Sequence, residues 1–162
     1  NRLPITTSIL DQLPNVVLSG ISILPPKSEI APHYGDTNGI VRLHLGLVVP
    51  EPYPTIAIRV GNEEMGWQEV KLLCFINVQK HQVWNRSDKK RYVLMVDIVP
   101  EPLKGRMYEI SSKGLGSQTY NYFYKKSSFF RSLPTAVHEV LIILFTYIWR
   151  VYLPIQRKIK IL

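Results

Sequence analysis

The chain has 162 residues, of which 46% are hydrophobic and 20% are charged. This composition excludes a disordered polar chain and is enough for a domain with a real core. Residues 1–120 hold 13 Lys/Arg and 11 Asp/Glu (+2), whereas residues 121–162 hold 7 and 1 (+6), so the net charge of +8 belongs mainly to the tail. We expect an anionic membrane surface as a partner of this tail. Nucleic acid is disfavoured, because no zinc-finger spacing or RNA-binding aromatic signature is present.

The N-terminus and the cysteine content bear on origin and compartment. Asn1 stands where an initiator methionine would be, so we expect the chain to be a piece of a longer protein. No secretory signal is visible. The single cysteine, Cys74, lies in the apolar run KLLCFI and is predicted to be a buried, inert thiol. A reducing compartment is therefore expected, either the cytoplasm or the cytoplasmic face of a membrane.

The first 104 residues read as a series of short strands. Proline and glycine turns separate five β-branched or alternating runs, at 16–24, 40–49, 55–60, 72–76 and 91–99. Many short strands at close spacing predict an all-β sandwich or barrel for residues 1–104.

The run at 40–49 alternates in chemistry. Val41, Leu43, Leu45 and Leu47 share one face, and Arg42, His44 and Gly46 share the other. Such a strand is either an edge with a wet side or the lining of a polar cavity. The glycine favours the cavity, because it lets a ligand or another backbone approach closely.

The pattern changes after residue 104. Residues 105–131 are polar and rich in Gly, Ser, Tyr and Lys, which predicts a loop segment. Residues 132–162 predict an apolar, basic helix that ends at Pro154, and its apolar part, residues 137–153, falls short of the roughly 20 residues of a bilayer span. Three interpretations stay open: a helix packed on the sheet, an interfacial helix with a basic anchor, or a short membrane anchor.

Two stretches combine histidine with arginine. Residues 32–50 read PHYGDTNGIVRLHLGLVVP, and residues 81–97 read HQVWNRSDKKRYVLMVD. Imidazole is the commonest metal ligand, and guanidinium binds carboxylates in a bidentate manner. Each histidine alone is more often structural, but the two stretches together predict a metal site beside an anion site.

These stretches, with VGNEEMGWQEVK between them, resemble the aspartyl/asparaginyl β-hydroxylase family. The resemblance runs from about Ser22 to Leu103 and keeps the order and spacing of the blocks. It implies an Fe(II)- and 2-oxoglutarate-dependent dioxygenase on a double-stranded β-helix, a cupin-like jelly-roll with a C-terminal helical extension here. It implies O2 and a peptide or lipid substrate as partners, with an aspartyl or asparaginyl side chain or a lipid acyl chain hydroxylated.

The resemblance also assigns residues. His33 and His81 match the two iron ligands and are the expected catalytic residues, and Arg91 matches the arginine that pairs with the far carboxylate of 2-oxoglutarate. Further positions around the cosubstrate match Arg42, His44 and Ser22. Gly35 stands where the wider superfamily carries a carboxylate ligand, so water is expected to complete the metal sphere. Asp36 is one residue out of register and is not expected to be a ligand.

Several residues depart from the family pattern. Val70 replaces a glycine before Lys71, and Ile76-Asn77 replaces a pair of aspartates after Phe75. Lost acidic neighbours of a metal-binding histidine typically cost 10–100-fold in affinity or activity. Ile40 stands where the animal enzymes carry a substrate-binding arginine. A non-catalytic binding protein or membrane-associated scaffold on the same fold is therefore the alternative.

The remaining prominent residues are predicted to be structural. Trp67 and Trp84 are expected in the core or at its rim. Asp97 lies in an aliphatic strand and needs a cationic partner, since an unpaired buried charge is costly. Arg91 is about 20 Å away along the strand, which leaves Arg59 or Lys71 as the expected partner.

Overall fold

The computed structural model describes the backbone of residues 3–160 and the side chains of residues 3–155. Residues 161–162, which end the predicted C-terminal helix, lie outside the described part. The chain divides into two compact units, with the boundary between Lys104 and Gly105. We call them the β unit and the helical unit.

The β unit contains a short helix and eight strands within its described residues. The elements are α1 (Pro4–Leu10), β1 (Val16–Leu24), β2 (Ser28–His33), β3 (Val41–Val48), β4 (Ile56–Val60), β5 (Glu63–Met65), β6 (Leu72–Ile76), β7 (His81–Asn85) and β8 (Arg91–Ile98). A 3-10 helix, Glu101–Arg106, follows β8.

The strands form two four-stranded antiparallel sheets. One has the order β1-β8-β3-β6 and the other β2-β7-β4-β5. Each sheet alternates strands from the two halves of the β unit, which is the eight-stranded, double Greek-key arrangement of a jelly-roll. The predicted double-stranded β-helix is therefore confirmed.

Alternate residues of both sheets form the core. Ile56, Ile58 and Val93 are fully buried, and each contributes about 1.5–3 kcal/mol through burial of its side chain. Trp67 and Trp84 are buried too, at 2% and 6% exposure, as predicted. The core thus fills the space between the sheets and holds the strands that carry the polar residues.

Strand β3 lines a polar interior. It lies between β8 and β6, so it is not an edge. His44 and Gly46 are buried and Arg42 is half-buried, while Leu47 on the opposite face is exposed. The edge interpretation of this strand is therefore wrong, and the cavity lining stays a prediction for a face that points into the interior. Gly46 is required there because the backbone of Gln68 lies where a Cβ would be.

The predicted burial of Cys74 is wrong. Strand β6 is at the edge of its sheet, and its residues alternate between exposed and buried. Leu73 and Phe75 point into the core, so Cys74 between them is exposed. An apolar run of five residues looked buried on both faces, but only one of its faces packs on the core.

The helical unit contains α2 (Met107–Lys126), α3 (Ser128–Arg131) and α4 (Thr135–Lys160). The loop predicted for residues 105–131 is therefore wrong. Gly116 of α2 lies so close to Thr146 of α4 that a Cβ would not fit, which shows that this glycine allows close helix packing. The hydroxyls of Ser111 and Ser112 donate to backbone carbonyls one turn earlier, so these polar residues are compatible with the helix.

Helix α4 runs beyond the point where it was predicted to end. It has 26 residues and includes Pro154 in its interior. Residues 135–155 are long and apolar enough to cross a membrane, judged by length and composition alone. This is weak evidence for a span, because core helices of soluble proteins can meet the same criteria.

Candidate functional site

The two predicted metal-binding histidines lie side by side. His33 ends β2 and His81 begins β7, and the two residues are paired across these antiparallel strands. Their ring centroids are 4.1 Å apart. Residues 48 positions apart in sequence thus converge because a strand pair of the second sheet joins them.

Hydrogen bonds fix the tautomer of both rings. His33 Nδ1 lies 2.9 Å from the carbonyl of Ala31, and His81 Nδ1 lies 2.7 Å from that of Gln79. A carbonyl oxygen only accepts, so Nδ1 carries the proton and donates, and the Nε2 lone pair of each ring is available to a metal. Burial is the main cause that lowers the pKa of His81, which keeps this ring neutral.

Gly35 is the residue where the resemblance leads us to expect no carboxylate ligand. Its N–H donates to the carbonyl of Asn77 (3.0 Å), and Asn77 fills the space that a Cβ would need. Asn77 is buried, and its Oδ1 has no hydrogen-bond partner among the described residues. Among the described residues no group of three His, Cys, Asp or Glu could hold a metal. The two imidazoles fit a metal ion, with uncharged neighbours where the superfamily has a carboxylate.

Arg91 is buried without a carboxylate partner. It begins β8, is 1% exposed, and takes part in none of the ion pairs between described residues. Its Nη1 lies 3.4 Å from the carbonyl and 3.5 Å from the hydroxyl of Ser22, and its Nε has no partner. Burial lowers its pKa to about 10, so it stays charged at neutral pH. A buried, charged and incompletely paired guanidinium fits a carboxylate ligand.

His44 and Trp67 add unpaired polar atoms to the same place. Both nitrogens of His44 and Nε1 of Trp67 are buried, and none of them has a hydrogen-bond partner in the part of the chain that the structure describes. The guanidinium carbon of Arg91 lies 4.8 Å from the centre of the Trp67 ring. The ring of His44 stacks on the same Trp67 side chain, with the ring centroids 5.8 Å apart. Burial, followed by the charge of Arg91, lowers the pKa of His44 to about 3, so its ring is neutral.

Together these groups form what we call the donor cluster: Ser22, His44, Trp67 and Arg91. A buried donor without a partner costs about 1–3 kcal/mol, so several of them in one place indicate a binding site rather than a core. The contribution of Trp67 was not predicted. Its sequence context gave only an aromatic residue of the core or its rim, and its role depends on contacts with strands far away in the chain.

Arg42 has a different environment. Its Nε and Nη2 donate to the two carboxylate oxygens of Asp97, both at 2.7 Å. The two residues face each other on the paired strands β3 and β8. The expected partners of Asp97 were therefore wrong, and Arg59 pairs with Glu64 instead. The predicted role of Arg42 beside the cosubstrate stays a prediction, and the structure places it in a structural ion pair.

Solved structures with a similar arrangement of strands are cupins and related barrels. A predicted oxalate decarboxylase from Thermotoga maritima has a TM-score of 0.44 and 14% identity, over 59% of this chain and 74% of that chain. The Cnp3 cupin domain of Schizosaccharomyces pombe has a TM-score of 0.45 and 9% identity, over 59% and 60%. At this level of similarity they support no statement about function.

Comparison with known sequences is more specific. An ornithine lipid ester-linked acyl 2-hydroxylase from Rhizobium tropici is 45% identical over 101 residues, which are 62% of this chain and 36% of that protein. The human aspartyl/asparaginyl beta-hydroxylase is 39% identical over 77 residues, 48% of this chain and 10% of that protein. The chain thus matches about a third or less of the length of these relatives. The family model described as aspartyl/asparaginyl beta-hydroxylase matches residues 1–100, and the chain therefore belongs to this family.

Proposed function

We propose that the chain is an Fe(II)- and 2-oxoglutarate-dependent dioxygenase that hydroxylates an unactivated C–H bond. The observation that supports this most strongly is the pair His33 and His81, whose rings adjoin and whose Nδ1 atoms each face a backbone carbonyl, which leaves Nε2 of each ring for a metal. These two side chains would hold the iron. Bound iron supplies the activation of O2 that oxidises a C–H bond, which no side chain can do alone.

The donor cluster would bind the cosubstrate. Arg91 offers a buried positive charge for the far carboxylate, and the hydroxyl of Ser22 lies beside it. Trp67 holds the guanidinium against its ring face, an interaction worth about 0.5–2 kcal/mol. His44, whose pKa burial lowers to about 3, is neutral at pH 7 and can donate a hydrogen bond without adding charge. The cluster therefore orients a dicarboxylate rather than only attracting it.

The proposed reaction uses both atoms of O2. One molecule each of 2-oxoglutarate and O2 gives succinate and CO2, and the second oxygen atom enters the C–H bond as a hydroxyl. The protein would bind and orient the reactants and exclude water from them. Phe75 supports the last task, since it is buried between His44 and His81 with ring centroids 5.4 and 5.1 Å away.

We propose a lipid acyl chain as the substrate class. Ile40 is 7% exposed and apolar, so no positive charge is available where the animal enzymes carry an arginine for a peptide carboxylate. The relative from Rhizobium tropici, with 45% identity, is named for hydroxylation of an acyl chain. An aspartyl or asparaginyl side chain is the second candidate. A lipid substrate would also place the protein at a membrane.

The test is turnover with a matched histidine control. The chain, loaded with Fe(II) under argon and then given 2-oxoglutarate and air, should release succinate, and the His33→Ala variant should release none and retain no iron. His138→Ala is the control, because His138 lies in the helical unit and contacts Tyr120 there (2.9 Å). It should match the unchanged chain in iron content and succinate release.

The outcome separates the enzyme from the alternative. A chain that neither retains iron nor releases succinate, with normal folding by circular dichroism, would be the non-catalytic binding protein on the same fold. The replacement of two acidic residues by Ile76 and Asn77 favours that alternative. Lipid extracts analysed by mass spectrometry for added oxygen would then distinguish an acyl substrate from a peptide.

A further inference from the structure

Helix α4 has apolar residues on two faces, only one of which is covered. One face consists of half-buried residues that recur every three or four positions. It includes Trp149, whose Nε1 donates to Thr119 Oγ1 of α2 (2.8 Å). The opposite face is exposed over nine large hydrophobic residues: Val137, Val140, Ile143, Leu144, Tyr147, Ile148, Val151, Tyr152 and Ile155. A helix of a soluble unit usually has polar residues on its outer face.

This uncovered surface, which we call the outer face of α4, is long and continuous. From residue 137 to residue 155 it extends about 27 Å at 1.5 Å per residue. The charged residues of this stretch are Glu139 and Arg150, both exposed. They are three helical turns apart and lie together along one border of the face rather than within it. Such a border lets Arg150 reach water or phosphate while the apolar face is buried.

Basic residues flank α4 at both ends. Lys125, Lys126 and Arg131 precede it, and Arg157, Lys158 and Lys160 occupy its last turns in the sequence. Aromatic residues accompany the first group, with Tyr122 and Phe129 exposed at 60% and 69%. Cations beside exposed aromatic rings match the headgroup region of an anionic bilayer, where each basic residue contributes about 1 kcal/mol.

The partner helix argues against a bilayer span. Helix α2 packs along α4 but carries Lys113, Gln118 and Asn121 within its length, so it would bring polar groups into the hydrocarbon if α4 crossed the bilayer. Basic residues at both ends of α4 also lack the asymmetry that orients a spanning helix. A helix that lies in the plane of the interface buries the outer face and leaves α2 in water.

We propose that the helical unit is a monotopic membrane-binding element. Its α4 lies flat in the headgroup region of an anionic bilayer with the outer face toward the acyl chains. This goes beyond the proposed hydroxylase activity and does not depend on it, because vesicle binding requires neither iron nor turnover.

Vesicle co-sedimentation tests the proposal. The full chain should bind phosphatidylcholine vesicles that contain about 30% phosphatidylglycerol at least about tenfold more tightly than pure phosphatidylcholine, and high salt should remove this difference. The variant Val140→Glu/Val151→Glu should lose binding by about tenfold or more. The matched control is Leu72→Glu/Ile76→Glu, two exposed positions on β6 that should leave binding unchanged.

A depth measurement tests the orientation. On a Cys74→Ser background, spin labels attached to single cysteines at Val140, Tyr147 and Val151 should show the same shallow depth. These positions lie on one side of α4, so a flat helix gives equal depths, whereas a spanning helix gives depths that differ by up to about 16 Å. Binding by a helix of normal circular dichroism with equal depths supports the proposal.

Four results would overturn it. They are no binding to vesicles of either composition, undiminished binding of the Val140/Val151 variant, a depth gradient along α4, or a dimer in sedimentation velocity that this variant dissociates. The last result would assign the outer face of α4 to a second copy of the chain.

Discussion

The interior of the β unit contains two arginines in opposite situations, one half-buried and one fully buried. Arg42 on β3 forms two hydrogen bonds of 2.7 Å with Asp97, whereas the hydrogen bonds of Arg91, at the start of β8, to described residues are the two long ones to Ser22. Both point into the same interior, and their strands are neighbours. The protein itself explains the paired arginine, while under the proposed function a carboxylate ligand would explain the unpaired one. The same residue type thus stabilises the fold at one position and, in the proposed function, would bind the cosubstrate at the other.

The largest expected effect is the loss of the paired arginine. Arg42→Met should lower the free energy of unfolding by about 3–5 kcal/mol, because it leaves the carboxylate of Asp97 buried without a partner. Urea denaturation at pH 7 measures this. The double variant Arg42→Met/Asp97→Leu should recover most of the loss, since it removes both charges. A single variant as stable as the unchanged chain would show that the pair is not structural.

The unpaired arginine should behave in the opposite way. Arg91→Met should leave the stability of the ligand-free chain unchanged or higher, because it removes a buried charge without a carboxylate partner. A ligand at 100 times its dissociation constant stabilises the folded state by about 2.7 kcal/mol, and the variant should lose this gain with 2-oxoglutarate. Thermal unfolding with and without 2-oxoglutarate measures both effects.

The matched control for that measurement is Arg59→Met. Arg59 is exposed and pairs with Glu64, so this substitution removes a guanidinium of the β unit without touching the donor cluster. Stabilisation by 2-oxoglutarate should persist in it. Were Arg91→Met stabilised as strongly as this control, the cosubstrate would have to bind elsewhere.

His44 lies between the two arginines in sequence, and the charges of both lower its pKa. Its pKa falls from 6.5 to about 3 on folding, because of burial and then the charges of Arg91 and Arg42. The unfolded chain therefore takes up this proton below pH 6.5 while the folded chain does not, so stability falls as the pH falls. Between pH 6.5 and about pH 5 the loss should be about 2 kcal/mol.

A glutamine variant isolates this contribution. His44→Gln cannot take up the proton, so the unfolding free energy of the variant should change less between pH 6.5 and about pH 5 than that of the unchanged chain. His81, whose pKa is also lowered, contributes equally to both proteins. Identical pH profiles for the two proteins would show that His44 is protonated in the folded state.

The contrast between the arginines also shows what could be read from the sequence. Alternation in β3 placed Arg42 and His44 on one face, and that face does point into the interior of the β unit. The partner of Asp97 was not predicted, because strand register is set by pairing across the sheet and not by local pattern. The convergence of His33 and His81 was predicted only through the family resemblance, since no local signal joins β2 to β7.

The helical unit shows a different limit. Residues 105–131 are polar and contain Gly114 and Gly116, which are poor helix formers, so a loop was the reasonable prediction. Helix α2 exists because Gly116 admits Thr146 of α4 at close range and the packing of the two helices outweighs local preference. Such an effect depends on a partner 30 residues away and is not visible in a single segment.

The smallest expected effect is that of a substitution at Val70, three residues after Trp67 of the donor cluster. Val70 has φ +63°, a left-handed conformation that is strained for a β-branched residue, and it is 86% exposed. The family has glycine at this position, which adopts the conformation without strain. The N–H of Val70 donates to the carbonyl of Gly46 (2.9 Å), so the turn that follows Trp67 is fixed on β3 despite the strain.

Val70→Gly should therefore raise the free energy of unfolding by about 1 kcal/mol, measured by urea denaturation. The gain should be equal in the Arg42→Met background, because the two sites share no partner. An unchanged or lower stability would mean that the conformational freedom of glycine in the unfolded chain offsets the relieved strain.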